Sequence, residues 1–213
     1  MNREICLHAI NSYYDIYYQK QNLDKLKCIL QSKELLSRRL LGLSDSSGFN
    51  GMDYISLCDY QQRKAYPFNH PNYNSYDAYI RENIALMFPK DELPIINPYV
   101  IDVIKKNKKG YERMATLGLN EFLRFTDLPD EVQVKDRISL DLMCGITIPV
   151  KKLENIFLSA EKNTWKILAY LNEIKKLLTK YDYCVPIYDI DSMTELTNEK
   201  DIKNIIKTRK KKI

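Results

Sequence analysis

The chain is 213 residues long, 45% hydrophobic and 29% charged, a composition that fits one folded domain with at most a small appendage. Six glycines with no GxGxxG and no GxxxxGK[ST] argue against a glycine-rich phosphate loop. Five scattered cysteines without a CxxC pair, and two histidines, argue against a zinc site or a disulfide framework. The formal charge of +5 is partly gathered in KKNKK (105–109) and the terminal KTRKKKI; these either attract phosphates or are a solvated loop and a solvated end. No run approaches the roughly 18–20 apolar residues of a membrane helix, and MNREICLHAIN is too short in apolar residues for a signal-peptide core. The expectation is a cytoplasmic protein with reduced thiols and no membrane contact; delivery to another cell as an effector stays open.

In chain order, EICLHAIN (4–11) alternates as a strand, with Ile5, Leu7 and Ala9 on one side and Cys6, His8 and Ile10 on the other. The Tyr-rich segment 12–21 reads as a loop or a short helix. The segment 22–40 opens a helix, with Leu23, Leu26 and Ile29 or Leu30 at helical spacing, Asn22 as N-cap and Asp24 in the first turn. That helix is expected to end near Gln31, leaving KELLSRR as an exit segment. A turn (43–51) precedes a strand at 52–60. The segment 61–77, with two prolines and many aromatic and amide residues, is a long loop of the kind that often carries function.

Residues 78–89 end in an apolar run suited to a buried strand, and 94–104 is a second such run. For 105–122 the composition predicts a charged turn followed by irregular or short helical structure. The segment 128–150 reads as strand, turn, short apolar turn, strand. An amphipathic helix spans 159–181, with Trp165, Leu168, Leu171, Ile174, Leu177 and Leu178 on one core face. A short strand (184–190) and a polar end with a possible final helix close the chain. Strands interleaved with a few helices predict a mixed α+β fold, organised as a single domain over 1–190 with a polar, basic C-terminal tail over 191–213.

Four features follow one another: a strand bearing His8, the segment NLDKLKCILQSKELLSRR, a strand containing YISL (54–57), and DEVQVKDRISLDLMCGITIP (130–149). This order resembles the ADP-ribosyltransferase superfamily, in particular its DNA- and RNA-modifying toxin branch. There an early His-bearing strand is followed by NLxxILxxGxLxSR, a Tyr/Phe-x-Ser strand, then xEVxV and IPLxxIxGIxVP. The resemblance covers roughly residues 4–150. The chain departs from the pattern at Ala9, where a small polar residue usually follows the His, and in a longer segment between His8 and the helix. Pro129 stands two residues before Glu131, so no Glu-x-Glu or Gln-x-Glu pair exists to suggest arginine-directed modification.

The resemblance implies two small, twisted antiparallel or mixed sheets around an NAD cleft, flanked by helices. It implies a mono-ADP-ribosyltransferase of toxin or effector type with NAD as substrate and no metal. Glu131 would be the catalytic carboxylate, holding the ribose 2′-hydroxyl and the oxocarbenium-like charge that develops as nicotinamide leaves. His8 would bond a ribose hydroxyl, the Ala9 backbone would read the carboxamide, Tyr54 would stack on the nicotinamide ring, and Ser56 would brace Glu131. Arg63 would meet the pyrophosphate, with Arg38 and Arg39 as alternatives. The acceptor would be a nucleic acid or a protein, and a toxic enzyme would need a neutralising antitoxin or immunity partner. Each residue also has an ordinary reading: a strand-head glutamate, a half-buried histidine satisfied by the main chain, packing tyrosines, solvated arginines. The competing functional reading is a non-catalytic domain that holds nucleic acid or a protein through the basic loop and tail.

Overall fold

Alternating and apolar runs become strands, and helical stripes become helices, in a mixed α+β fold. The computed structural model describes residues 3–10, 17–43, 53–63, 83–107, 110–117, 131–156 and 163–210. The chain forms two compact units that interleave along the sequence. One comprises Met1–His8, Glu34–Tyr79 and Phe88–Leu142; the other Ala9–Lys33, Ile80–Met87 and Met143–Ile213.

The first unit is built on strands in the order β1 (Ile5–Ala9, whose last residue falls in the second unit), β3 (Tyr54–Asp59), β7 (Glu131–Lys135), β5 (Ile95–Asn107) and β6 (Gly110–Leu117). All these neighbours are antiparallel. Ile55, Leu57, Val132 and Val134 are buried, the apolar half of the period-2 pattern in YISL and EVQV. β5 continues through Lys105 and Lys106 and pairs with β6, with Lys105 in register with Glu112 and Asn107 with Gly110. The expectation of irregular or short helical structure after a charged turn is therefore corrected for 110–117, which is strand, while 108–109 and 118–122 lie outside the described residues. A charge-rich run resembles a turn by composition, but a hairpin ladder satisfies its amides whatever side chains it carries. The exit segment after the first helix is also a strand, β2 (Glu34–Leu36), paired antiparallel with β8 (Arg137–Ser139) through Leu35 and Ile138. A 3₁₀ turn (Leu140–Leu142) follows β8.

The second unit carries α1 (Tyr17–Ser32), β4 (Ala85–Pro89, whose last two residues belong to the first unit), β9 (Gly145–Ile148), α3 (Val150–Ile156), α4 (Asn163–Lys180), β10 (Ile187–Asp189) and α5 (Glu199–Lys210). β4 is antiparallel to β9, and β10 is parallel to β9. That parallel pairing uses α3 and α4 as its crossover. β4 is buried along its whole length, as its unbroken apolar run predicts. Gly145 lies where an added Cβ would come within 2.8 Å of Met87 Sδ and 3.3 Å of the Pro186 carbonyl, so a side chain there would force Met87 to shift.

Helix α1 starts at Tyr17 rather than at Asn22. Asn22 is not an N-cap but a buried residue inside the helix, near the buried Tyr170 of α4, and Asp24 is beyond the first turn. Leu26 and Leu30 form the buried stripe. On α4 the buried face is Ile167, Tyr170, Leu171, Ile174 and Leu178, whereas Trp165 is 69% exposed. Trp165 lies roughly 200° around the helix from Ile167, so hydrophobicity alone misassigned it to the core. The possible final helix is α5, which buries Ile202 and Ile205. The turn at 44–51, most of the loop 61–77 (from residue 64), Pro129 and the final 211–213 lie outside the described residues.

Candidate active site

Three neighbouring strands of the first unit carry the His8, Ser56 and Glu131 positions. β3 and β7 are in register from Tyr54–Lys135 to Cys58–Glu131. β1 pairs with β3 only at Cys6–Asp59 and Leu7–Cys58. Beyond Leu7, His8 takes over: its Nδ1 lies 2.8 Å from the Ser56 carbonyl oxygen. A carbonyl can only accept, so Nδ1–H donates, and the neutral ring presents Nε2 as an acceptor. Burial lowers the His8 pKa below its ordinary value, against the opposing effect of the Ser56 bond, so the ring is neutral at pH 7.

Glu131 is the first residue of β7, its Cα in register with Cys58 on one side and Val100 on the other. Ser56 is half-buried and faces Gln133 in register, two residues further along β7. Tyr54 is half-buried at the opposite end of β3, four residues from Cys58 and so about 13 Å along the strand. Ala9 is buried at the end of β1. Arg63 closes the one-turn helix α2 (Tyr60–Arg63), which follows β3 at the Cys58 end. The side chains of Glu131 and Arg63 lie outside what the structure describes.

The alternative arginines sit at the other end of β3. Arg39 is mostly exposed and ion-paired with Asp53, the residue before Tyr54. The chain there is fastened by Ser37 N donating to the Asp136 carbonyl (2.7 Å) and Asp136 N donating to the Asp53 carbonyl (2.7 Å). Lys33, just after α1, has a φ of 60°, the left-handed conformation that glycine adopts freely.

Beside these strands lies a charge cluster with no signal in the sequence, built on one buried carboxylate. Asp59, the last residue of β3, is fully buried, and Lys90 Nζ donates to its Oδ2 at 2.8 Å. Its Oδ1 accepts from Gln61 N at 3.1 Å. Lys90 Nζ also reaches Glu4 Oε2 at 3.1 Å. Burial alone would lower the Lys90 pKa, but the bonds to Asp59 and Glu4 outweigh it and raise it. Burial, and then the Asp59 charge, push the neighbouring Cys6 thiol up to about 12, which makes it an inert core residue. Gln133, buried on β7, was also missed; the only sequence signal was a polar residue between two valines in EVQV.

Among the described residues no group of three or more His, Cys, Asp or Glu side chains is placed to hold a metal ion. No described helix is long and apolar enough to cross a membrane. No family model and no curated protein matches the chain. Two solved structures are similar to it. Thermus sp. 2.9 DarT in complex with carba-NAD+ is 12% identical, with 88% of this chain and 95% of that chain covered and a TM-score of 0.34. Thermus sp. 2.9 DarT in complex with NAD+ is 12% identical, with 83% and 92% covered and a TM-score of 0.33.

Proposed function

We propose that this protein is an NAD-dependent mono-ADP-ribosyltransferase of toxin or effector type, with an ADP-ribosyltransferase-like fold and Glu131 as its catalytic carboxylate. The observation that carries the reading is the side-by-side order of β1, β3 and β7, which gathers His8, Ser56 and the Glu131 position from three distant parts of the chain. Neutral His8, held through Nδ1, uses Nε2 to accept a hydrogen bond from a ribose hydroxyl, and the Ala9 backbone reads the carboxamide. Glu131 binds the nicotinamide-ribose 2′-hydroxyl and stabilises the positive charge that spreads over the ribose as the C1′–N bond breaks. The bond's electron pair neutralises the pyridinium, so nicotinamide leaves uncharged. The acceptor's lone pair then forms the new bond at C1′, and its proton passes to Glu131. Ser56 braces the carboxylate and Arg63 meets the pyrophosphate, whereas Tyr54, about 13 Å along β3 from the Glu131 end, is given no part at the reacting ribose.

Of the candidate arginines, Arg63 is favoured because α2 follows the Cys58 end of β3, the end in register with Glu131. The acceptor is a nucleic acid or a protein, the reaction is cytoplasmic, and a neutralising partner protects the producing cell. Incubation with labelled NAD and either lysate or nucleic acid tests this. Wild-type protein is expected to transfer label, and Glu131→Ala to lose at least about 100-fold, the usual scale for removing one preorganised charge-stabilising group. Label transfer undiminished by Glu131→Ala sinks the mechanism. A melting temperature unmoved by millimolar NAD, with salt-dependent retention on nucleic acid, favours the non-catalytic binding domain instead.

A further inference from the structure

A fully buried carboxylate such as Asp59, held by a lysine that stays partly exposed and also reaches Glu4, is costly to keep, and replacing a buried ion pair by apolar residues is often neutral or stabilising. Asp59 and Lys90 therefore call for a role beyond stability. Asp59 lies next to Cys58, the register partner of Glu131, and its Oδ1 holds the amide of Gln61 in the first turn of α2. Its Oδ2 is held by Lys90, whose own backbone amide donates to the Glu4 carbonyl at 3.0 Å. The start of α2 is thus tied through one carboxylate to the chain entering β1 and to the chain leaving β4.

We propose that Lys90 and Asp59 are positioning residues for the NAD site: Lys90 clamps the Asp59 carboxylate, and Asp59 clamps the start of α2 and so fixes Arg63 relative to the Glu131 end of β7. This rests on the transferase reading above. The oxygen that matters is Oδ1, the acceptor for Gln61; the charge on Asp59 matters only because Lys90 is there to hold it.

Two variants separate positioning from mere stability, read by NAD consumption, melting temperature and hydrogen exchange at the Gln61 amide. Asp59→Asn keeps an acceptor for Gln61 and leaves Lys90 with Glu4. It is expected to melt lower, yet to keep its Gln61 protection and a KM for NAD within about twofold of wild type. The double variant Asp59→Leu with Lys90→Met removes the charges together and the acceptor with them. It is expected to melt near wild type, to lose Gln61 protection, and to raise KM about tenfold, the scale of one charge-assisted contact to phosphate, with kcat within about threefold. A double variant with wild-type KM overturns the proposal, as does one whose kcat and melting temperature fall together with KM unchanged. A wild-type protein that neither consumes NAD nor is stabilised by it overturns the transferase reading and this role with it. Loss of Gln61 protection in the double variant would then show the clamp to be structural only.

Discussion

His8 ties β1 to β3 through its side chain. Past the register pairs Cys6–Asp59 and Leu7–Cys58, its imidazole donates to the Ser56 carbonyl. This has a consequence for stability. The folded-state pKa of His8 lies below its unfolded value of about 6.5, so below that pH the unfolded chain binds a proton that the folded chain does not. The His8 contribution is fully present above about pH 6.5 and is lost as pH falls from there toward the folded pKa. Stability measured by urea unfolding between pH 7 and 5 should fall less steeply for His8→Gln than for wild type; parallel slopes would refute the assignment. Lys33 is the second residue under local constraint. Its left-handed φ costs a side chain roughly 1–2 kcal/mol that glycine avoids, partly offset by the entropy glycine loses on folding. Lys33→Gly is expected to stabilise by roughly 0.5–1 kcal/mol and to raise the thermal midpoint by a few degrees, as calorimetry would show.

Among the elements, α5 has the most complete local specification. Asn198 Oδ1 accepts from Lys200 N at 2.8 Å, while Asp201 Oδ2 reaches back to Asn198 N at 3.0 Å and to Thr197 N at 2.8 Å. This reciprocal box satisfies the amides that a helix start leaves open, and the Thr197 bonds hold the Asp201 carboxyl below its usual pKa. Asp201→Ala removes one half of the box and is expected to cost about 1 kcal/mol, read as a lower urea midpoint at unchanged slope; no change would mean that Asn198 suffices. Helix α1 is the contrasting case. Its start was misread because tyrosines have middling helix propensity and Asn22 resembles a cap; only burial of Asn22 near Tyr170 of α4 reveals it as interior. Similarly, β2 and β8 are too short to announce themselves, since each owes its strand conformation to the other.

At the scale of the whole molecule, the elements with strong periodicity were legible: β1, β3, β4, β7, β9 and the body of α4. The Glu131 position at the head of β7 was legible too, because EVQV alternates and the acid precedes the alternation. What stayed hidden was whatever depends on a distant partner. The β5–β6 hairpin is fixed by register between charged segments, and Trp165 is excluded from the core by an angle rather than by its hydrophobicity. Asp59 and Lys90 looked like unrelated residues 31 positions apart until folding joined them. Two groups separated by that distance carry no local pattern for a reader to detect.

The weaving of the chain between its two units has a kinetic side. His8 meets Ser56 across a separation of 48 residues, and β3 must then wait for β7, much further along the chain. Each closure costs loop entropy before any contact repays it. The neighbourhood of Glu131 thus belongs to the late events of folding, and a partly folded chain holds the pieces of the proposed centre without the centre itself. On the transferase reading proposed above, NAD turnover would appear only after β1, β3 and β7 have met, and so would lag behind helix formation during refolding.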